Sequence, residues 1–482
     1  MTDETDRRQR WLALMVLCLG VLMIVLDTTI VNVALPSIRT DLGFTETSLV
    51  WVVNAYMLTF GGCLLLGGRL GDLYGHRRLF LAGIVLFTLA SAACGLAQTQ
   101  AMLVVARAVQ GLGGAVVSAV ALSLIMNLFT EPAERARAMG VYGFVCAGGG
   151  SIGVLLGGLL TTLSWHWIFL VNLPIGVLVY ALCLKLIKNA PGTAGDATLD
   201  VGGAISVTTS LMLAVYAIVN GNEAGWTSAR TLVLLGAAVV LAVVFLIIES
   251  RVAHPLMPLS LFRSRNVSTS NVAGVLWAAA MFAWFFISAL YMQLVLNYTP
   301  MQVGLAFLPA NVIMAVFSLG LSARIVMRFG LKGPLAFGLI LAAVGLMLFA
   351  RAPVDGHFVA DVLPGMLLLG LGAGIAFNPM LLAAMSDVAP SESGLASGVV
   401  NTSFMMGGAL GLAVLASLAA ARSTAAVAAG STPAQALTSG YQLAFMVGAV
   451  FALIAGLLGA ALLRTAPAAQ TAGAASGSPT HI

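Results

Sequence analysis

Two ionisable residues stand inside stretches that are otherwise apolar. Trp11 to Pro36 reads WLALMVLCLGVLMIVLDTTIVNVALP, and Asp27 is its single charge. Counting about 1.5 Å per residue from Leu12 sets Asp27 roughly 22 Å along a span that crosses ~30 Å of hydrocarbon. A carboxylate at that depth costs several kcal/mol unless it faces a wet cavity or a partner, and such residues mark proton or ion relays. Arg107, in LVVARAVQGLGGA (Leu103–Ala115), is the second such charge. From the face assigned below as outer, Arg107 lies roughly 9 Å deep and Asp27 roughly 12 Å. An Asp–Arg pair at matching depth lowers the cost of both charges. Such a pair has two uses, proton coupling or an ion pair that locks two helices.

Uncharged residues extend the candidate set. Asn54 and Tyr56 are polar groups in the second span and can lie near Asp27, and Gln110 follows Arg107 by one turn. The ninth span carries Trp277, Met281, Trp284, Phe285, Ser288 and Met292 along approximately one helical stripe. Aromatics and methionines suit loosely specified apolar cations through cation–π attraction and adaptable packing. The alternative for such a stripe is core or lipid contact. Asn378, Asn401 and Met405 are further candidates for a substrate cavity.

Other chemistries lack their residues. No G-x-x-x-x-G-K-[ST] loop is present, so ATP is not expected to drive anything through this chain. No H-E-x-x-H, C-x-x-C or nucleophile elbow stands where it could function. His76, His166, His254, His357 and His481 map to loops or tails. Cys18, Cys63, Cys94, Cys146 and Cys183 all fall in spans, as small packing residues do. An enzyme is not expected, nor a metal or cofactor.

The elements that must position Asp27 and Arg107 follow from composition. The 482 residues are 60% hydrophobic and 8% charged, with mean hydropathy +1.04. Soluble domains carry about 25% charged residues, so the chain reads as an all-α polytopic membrane protein. Long unbroken apolar runs exclude a β-barrel, whose strands alternate. Fourteen spans fit, near 12–35, 49–68, 79–98, 101–125, 138–162, 168–187, 200–220, 230–249, 269–296, 303–325, 333–351, 360–386, 394–420 and 440–463. Arg7, Arg8 and Arg10 precede the first span and place the N-terminus in the cytoplasm. The even-numbered loops then hold most of the remaining bases, from Arg77 and Arg78 through Arg135, Arg137, Lys185, Lys188, Arg251, Arg263 and Arg265 to Arg324, Arg328 and Lys332. The exception is the loop with Asp387 and Glu392. The net charge of +5 thus encodes orientation, with both termini cytoplasmic, and not a nucleic-acid partner.

Polar linkers divide the spans into blocks. Residues 1–11 form a cytoplasmic segment and 12–188 a six-helix bundle. Residues 199–250 hold two inserted helices, bracketed by Asn189–Thr198 and by the basic stretch Ile248 to Asn266. Residues 266–463 form a second six-helix bundle, and 464–482 read as a disordered tail. GRLGDLYGHRR (Gly68–Arg78) and SARIVMRFGLK (Ser322–Lys332) follow the second helix of each block, with Gly75 matching Gly330 and Arg77 matching Lys332. Internal duplication is the usual build of secondary transporters, with the substrate site between the halves.

Topology accounts for the bases of Gly68–Arg78 but not for Asp72, because acids contribute little to orientation. Here the chain resembles the major facilitator superfamily, whose loop between helices two and three has the pattern G-x-L-x-D-x-x-G-[RH]-[RK]. Gly68, Leu70, Asp72, Gly75 and Arg77 match it, and Arg78 follows. The resemblance implies a conformational latch in this loop. It also implies that the stretch around Arg107, similar to the family's l-x-x-x-R-x-x-q-G motif, lines the central cavity and serves proton coupling. GFVCAGGGSIGVLLGGLL (Gly143–Leu160) is similar to the antiporter motif g-x-x-x-G-P-x-x-G-G, keeping Gly153, Gly157 and Gly158 while Val154 replaces the proline. Read from the residues alone, these glycines permit close helix packing. LDTTIVNVALPSI (Leu26–Ile38), WHWIFLVNLPIG (Trp165–Gly176) and GLASGVVNTSFMMGGALG (Gly394–Gly411) look like the fourteen-spanner drug:proton antiporter branch. The resemblance implies two six-helix bundles plus two linker helices and alternating access in a bacterial inner membrane. It implies a monomer exporting an amphipathic, cationic drug or metabolite in exchange for protons. Asp27 would release its proton to favour substrate and reload from the acidic outer side. A dedicated exporter of one metabolite, a proton symporter and a non-transporting sensor or scaffold on the same fold are the alternatives.

Overall fold

The computed structural model describes residues 2–187, 200–252, 255–317, 321–385, 388 and 393–464. The linker at Asn189–Thr198, the acids Asp387 and Glu392 and the tail lie outside the described residues, as do the side chains of Asp72 and Cys146. The described residues are helical, with no strand among them. In order, the helices are α1 (Thr2–Leu42), α2 (Val50–Tyr74), α3 (His76–Gly95), α4 (Gln100–Leu128), α5 (Pro132–Leu163), the single turn α6 (Trp167–Leu170) and α7 (Asn172–Leu186). The inserted pair is α8 (Val201–Ala224) and α9 (Ala229–Arg251). The second half comprises α10 (Arg265–Leu290), α11 (Pro300–Val316), α12 (Ser322–Phe329), α13 (Lys332–Phe349), α14 (Leu363–Met385), α15 (Ser393–Ala428) and α16 (Pro433–Leu462).

Among the described residues, 13 helices are long and apolar enough to cross a membrane, and Pro300–Val316 is a shorter apolar helix at the place of the tenth expected span. The fourteen-span reading is compatible with this set. Several helix starts are written locally. Thr299 and Thr432 each accept the N–H three residues on, and Gln302 and Gln435 reach back to the cap N–H, so both ends close capping boxes over a first-turn proline. Thr99 and Ser228 cap α4 and α9 through their hydroxyls.

The helix contacts fall into two sets, one in the N-terminal and one in the C-terminal part of the chain. In the first, α1 lies on α5 and α7, α2 on α4, and α3 on α4 and α7. In the second, α10 lies on α15 and α16, α13 on α14 and α16, and α11 on α14. Across the halves α2 meets α15 and α5 meets α11. Each contact joins the second span of one half to the fifth of the other, as a twofold-related duplication requires. The matched loops agree as well. Gly75 (φ 92°) passes α2 directly into α3, and Gly330 (φ 72°) ends α12 before α13. Both take a left-handed backbone that only glycine adopts without strain. The inserted α8 packs on α9 and also on α2 and α15, beside one seam between the halves.

Candidate functional site

Asp27 and Arg107 meet inside the first half. α1 crosses α4 there, and the Arg107 Nη1 donates to Asp27 Oδ2 at 2.5 Å. The pair is sealed, with Asp27 0% and Arg107 1% exposed. In such surroundings an ion pair is tolerable only when its remaining polar atoms also find partners. They do so from three helices, and a fourth holds those partners in turn. Gln110 Nε2 donates to Asp27 Oδ1 at 2.7 Å, and Asn172 Nδ2 donates to the same oxygen at 3.2 Å. Arg107 Nε donates to the Val52 carbonyl at 2.9 Å and Nη1 also to Gln110 Oε1 at 2.7 Å. Ser91 Oγ accepts from Gln110 at 2.7 Å and from Asn172 at 3.3 Å. The Arg107 guanidinium lies 4.5 Å from the Tyr56 ring centroid and 5.6 Å from that of Phe169, which sandwich it in aromatic surface.

The network joins α1, α2, α3, α4 and α7, so any change in charge on Asp27 bears on the packing of five helices. It contains one fixed cation and one carboxylate within a shell of amide and hydroxyl groups. Adding a proton to Asp27 would leave Arg107 as an uncompensated buried charge, held then only by the Val52 carbonyl, Gln110 and the aromatic faces. The site thus pairs one buried carboxylate with one buried cation inside a shell of amide and hydroxyl groups.

Residues expected from sequence fall into three sets. Asp27, Arg107, Gln110 and Tyr56 come together in the network, Gln110 as a direct donor to Asp27. Asn54, fully buried, instead donates across the seam to the Ala409 carbonyl of α15 at 2.8 Å. The stripe on α10 is split. Trp277 and Trp284 are 0% and 1% exposed and sit in the hydrophobic core, Trp284 beside Phe285 and Phe307 of α11. Met281 and Phe285 are half-buried, and Phe285 stacks on Phe307 at 5.4 Å between centroids. Met405 is half-buried against Gly61 of α2, Asn378 is half-buried, and Asn401 is exposed while its amide bonds the Ser397 carbonyl one turn back.

The glycines of α5 lie at close approaches. A Cβ on Gly157 would stand 2.8 Å from the Ile30 carbonyl of α1, and one on Gly153 would meet Thr29 and the Leu26 backbone. Gly158 faces the other half: its Cβ would lie 2.9 Å from the Pro300 carbonyl and 3.0 Å from Met301 Cα of α11. In the loop after α2, Arg77 Nη2 donates to the Leu184 carbonyl at the end of α7, at 3.0 Å. Arg78 is exposed and Gly68 half-buried.

Sequence reasoning missed Ser91, Asn172 and the Val52 carbonyl. Asn172 stood in a quoted motif as an amide within an apolar stretch, a signal of the same kind as Asp27. Ser91 gave none, since a small hydroxyl among alanines reads as packing. Also missed was a cluster of Phe282, Phe377 and Phe404 from α10, α14 and α15, with ring centroids 5.9 and 6.1 Å from Phe404.

Comparison with known proteins gives one family and a consistent set of relatives. The model of the Major Facilitator Superfamily matches residues 17–412. The puromycin resistance protein pur8 of Streptomyces alboniger is 38% identical over 457 residues, covering 94% of this chain and 90% of that protein. The cephamycin export protein CmcT of Amycolatopsis lactamdurans is 38% identical, covering 92% and 91%. The multidrug resistance protein Stp of Mycobacterium tuberculosis is 36% identical over 86% of this chain and 76% of its own length. Among solved structures, the nucleoside transporter NupG (D323A mutant) aligns with a TM-score of 0.65 at 10% identity, covering 94% of this chain and 100% of that one. A bacterial homolog of the lysosomal transporter Spinster aligns equally well at 14% identity, covering 94% and 96%.

Proposed function

The chain belongs to the major facilitator superfamily, a non-enzymatic transporter of small molecules across a membrane, and we propose that it exports antibiotics or similar amphipathic drugs in exchange for protons. Similarity to proteins named for puromycin resistance, cephamycin export and multidrug resistance supports the export of drugs. The single observation that supports proton exchange is the buried Asp27–Arg107 pair and its five-helix network. In this reading a proton on Asp27 dissolves the ion pair, Arg107 turns to its remaining partners, and the first half repacks. Because α2 and α5 of that half carry the seams to α15 and α11, repacking alters how the halves close. Two stable packings with different access are what alternating access needs.

Basic residues on alternate loops support an orientation with both termini cytoplasmic, in a bacterial inner membrane. The ends of α1, α5 and α10 and the starts of α2 and α11 then face outward. A cationic substrate would find aromatic and methionine surface at the half-buried Phe282, Phe285 and Met405. The domain reading follows the same lines, with 12–188 and 266–463 as the moving halves and 199–250 as an inserted pair.

The test is transport in proteoliposomes under an imposed proton gradient, using puromycin and a fluorescent lipophilic cation beside wild type and Asp27→Asn. Gradient-driven movement lost in the variant supports antiport through Asp27. Equal uphill transport by Asp27→Asn refutes the coupling role. Movement of neither compound by wild type refutes the drug reading and leaves the dedicated metabolite exporter.

A further inference from the structure

Away from the Asp27 network, two acids meet where α8 begins and α9 ends. Asp200 caps α8, its Oδ1 accepting the Gly203 N–H at 2.7 Å. Glu249, in the last turn of α9, accepts the Met257 N–H on Oε2 at 2.9 Å and so ties the following linker back onto the helix. Asp200 is 5% exposed and Glu249 4%. The second oxygen of each, Asp200 Oδ2 and Glu249 Oε1, has no donor. Both converge over Gly203, where a Cβ would stand 2.9 Å from Glu249 Oε1 and closer still to Asp200 Oδ2. The two carboxyls face each other across Gly203. As carboxylates, however, both can only accept.

Among the described residues no base forms an ion pair with either acid. At this end the described charged residues on the elements around the pair are Arg69 of α2, Arg251 of α9, and Arg263 and Arg265 beyond the linker. Among the described residues α15 brings no charge to this end. Two facing carboxylates, both buried and without an ion-pair partner, repel strongly. One proton between them halves the charge and supplies the missing donor to both orphan oxygens.

We propose that Asp200 and Glu249 together bind one proton, at a site separate from Asp27 and carried by the inserted helices. The shared proton holds the start of α8 to the end of α9, and through Met257 it holds the linker that leads into the second half. α8 also packs on α2 and α15, so the site stands beside a seam that must shift in any rearrangement of the halves. The inference is independent of the substrate and of the coupling role of Asp27.

The test compares thermal unfolding of the purified full chain at about pH 6 and about pH 8.5, where a proton held in the folded state and lost on unfolding makes stability fall as pH rises. Wild type is expected to lose more Tm over that interval than Glu249→Gln, whose amide donates to Asp200 Oδ2 at every pH. Asp200→Asn keeps the helix cap and is expected to flatten the profile in the same way, which covers the case in which Glu249→Gln does not fold. The infrared carbonyl band of a buried protonated carboxyl should be present in wild type and Asp27→Asn and lost in either variant of the pair. Equal pH slopes in wild type and both variants overturn the proposal. So does stabilisation of wild type at high pH by sodium or potassium that the variants lack, which makes the site a cation site.

Discussion

Asp27 and Arg107 are 80 residues apart in sequence and 2.5 Å apart in the fold, and both are buried. Removing one partner of such a pair is costlier than removing both charges, because a buried charge is left alone. Arg107→Ala alone should cost about 3–5 kcal/mol of stability. Adding Asp27→Asn to it should recover part of that loss, since Asn can keep hydrogen bonds to Gln110 and Asn172 without a charge. Thermal unfolding of the two single variants and the double variant in detergent measures the coupling directly. Additive losses would mean the two charges do not depend on one another.

Asn172 tests whether the network acts as a unit. Its amide reaches Asp27 at 3.2 Å and Ser91 at 3.3 Å, and the residue is 1% exposed, so it faces polar groups and no open space. Asn172→Ala should therefore cost about 1–3 kcal/mol by leaving buried acceptors short of a donor. Substrate affinity should hold within about twofold, since a kcal/mol spent on folding is not spent on binding. Equilibrium binding of a transported drug beside unfolding measurements separates the two. A large loss of affinity with unchanged stability would place Asn172 in the substrate site.

How much of this was legible depended on what each residue had to declare. Asp27 and Arg107 declared themselves, because a charge in an apolar span has few uses and their depths along two spans agreed. The helical architecture followed from span length, and the glycines singled out in the two matched loops, Gly75 and Gly330, both take positive φ. The aromatic stripe of α10 was legible only as a stripe. Spacing gives the face of a helix but not how deeply each residue on it is buried, and Trp277 and Trp284 lie in the core while Met281 and Phe285 are half-buried. Partnerships across hundreds of residues, such as Asn54 with the Ala409 carbonyl, are set by how the halves dock and leave no trace in local pattern.

Gly157 and Gly158 are neighbours on α5 with opposite consequences. Gly157 meets Ile30 of its own half, so Gly157→Ala forces α1 and α5 apart and should lower stability by about 1–3 kcal/mol through overpacking. Gly158 meets Pro300 and Met301 of the other half, so Gly158→Ala obstructs a docking surface that exists only when the halves close at this end. It should leave unfolding nearly unchanged while raising the accessibility of cysteines placed along that seam. Maleimide labelling at positions flanking Gly158 and Met301 reads the difference. Equal effects of both substitutions on stability alone would show that α5 and α11 separate in no functional state.

The same end of the molecule is held by two side chains that cross between the halves. Asn54 Nδ2 donates to the Ala409 carbonyl at 2.8 Å, and Gln293 Nε2 donates to the Val33 carbonyl at 2.9 Å. Each bond is worth about 0.5–1.5 kcal/mol net, and it exists only while this end is closed. Asn54→Ala or Gln293→Ala should thus shift the balance between closed and open by roughly 2- to 10-fold towards open. The double variant should shift it by about the product, because the two bonds lie on different helix pairs and share no partner. Distance distributions between spin labels on α1 and α10 at this end report the populations. If the open state makes equivalent bonds of its own, the distributions will not move, and these two amides then serve helix packing and not the gate.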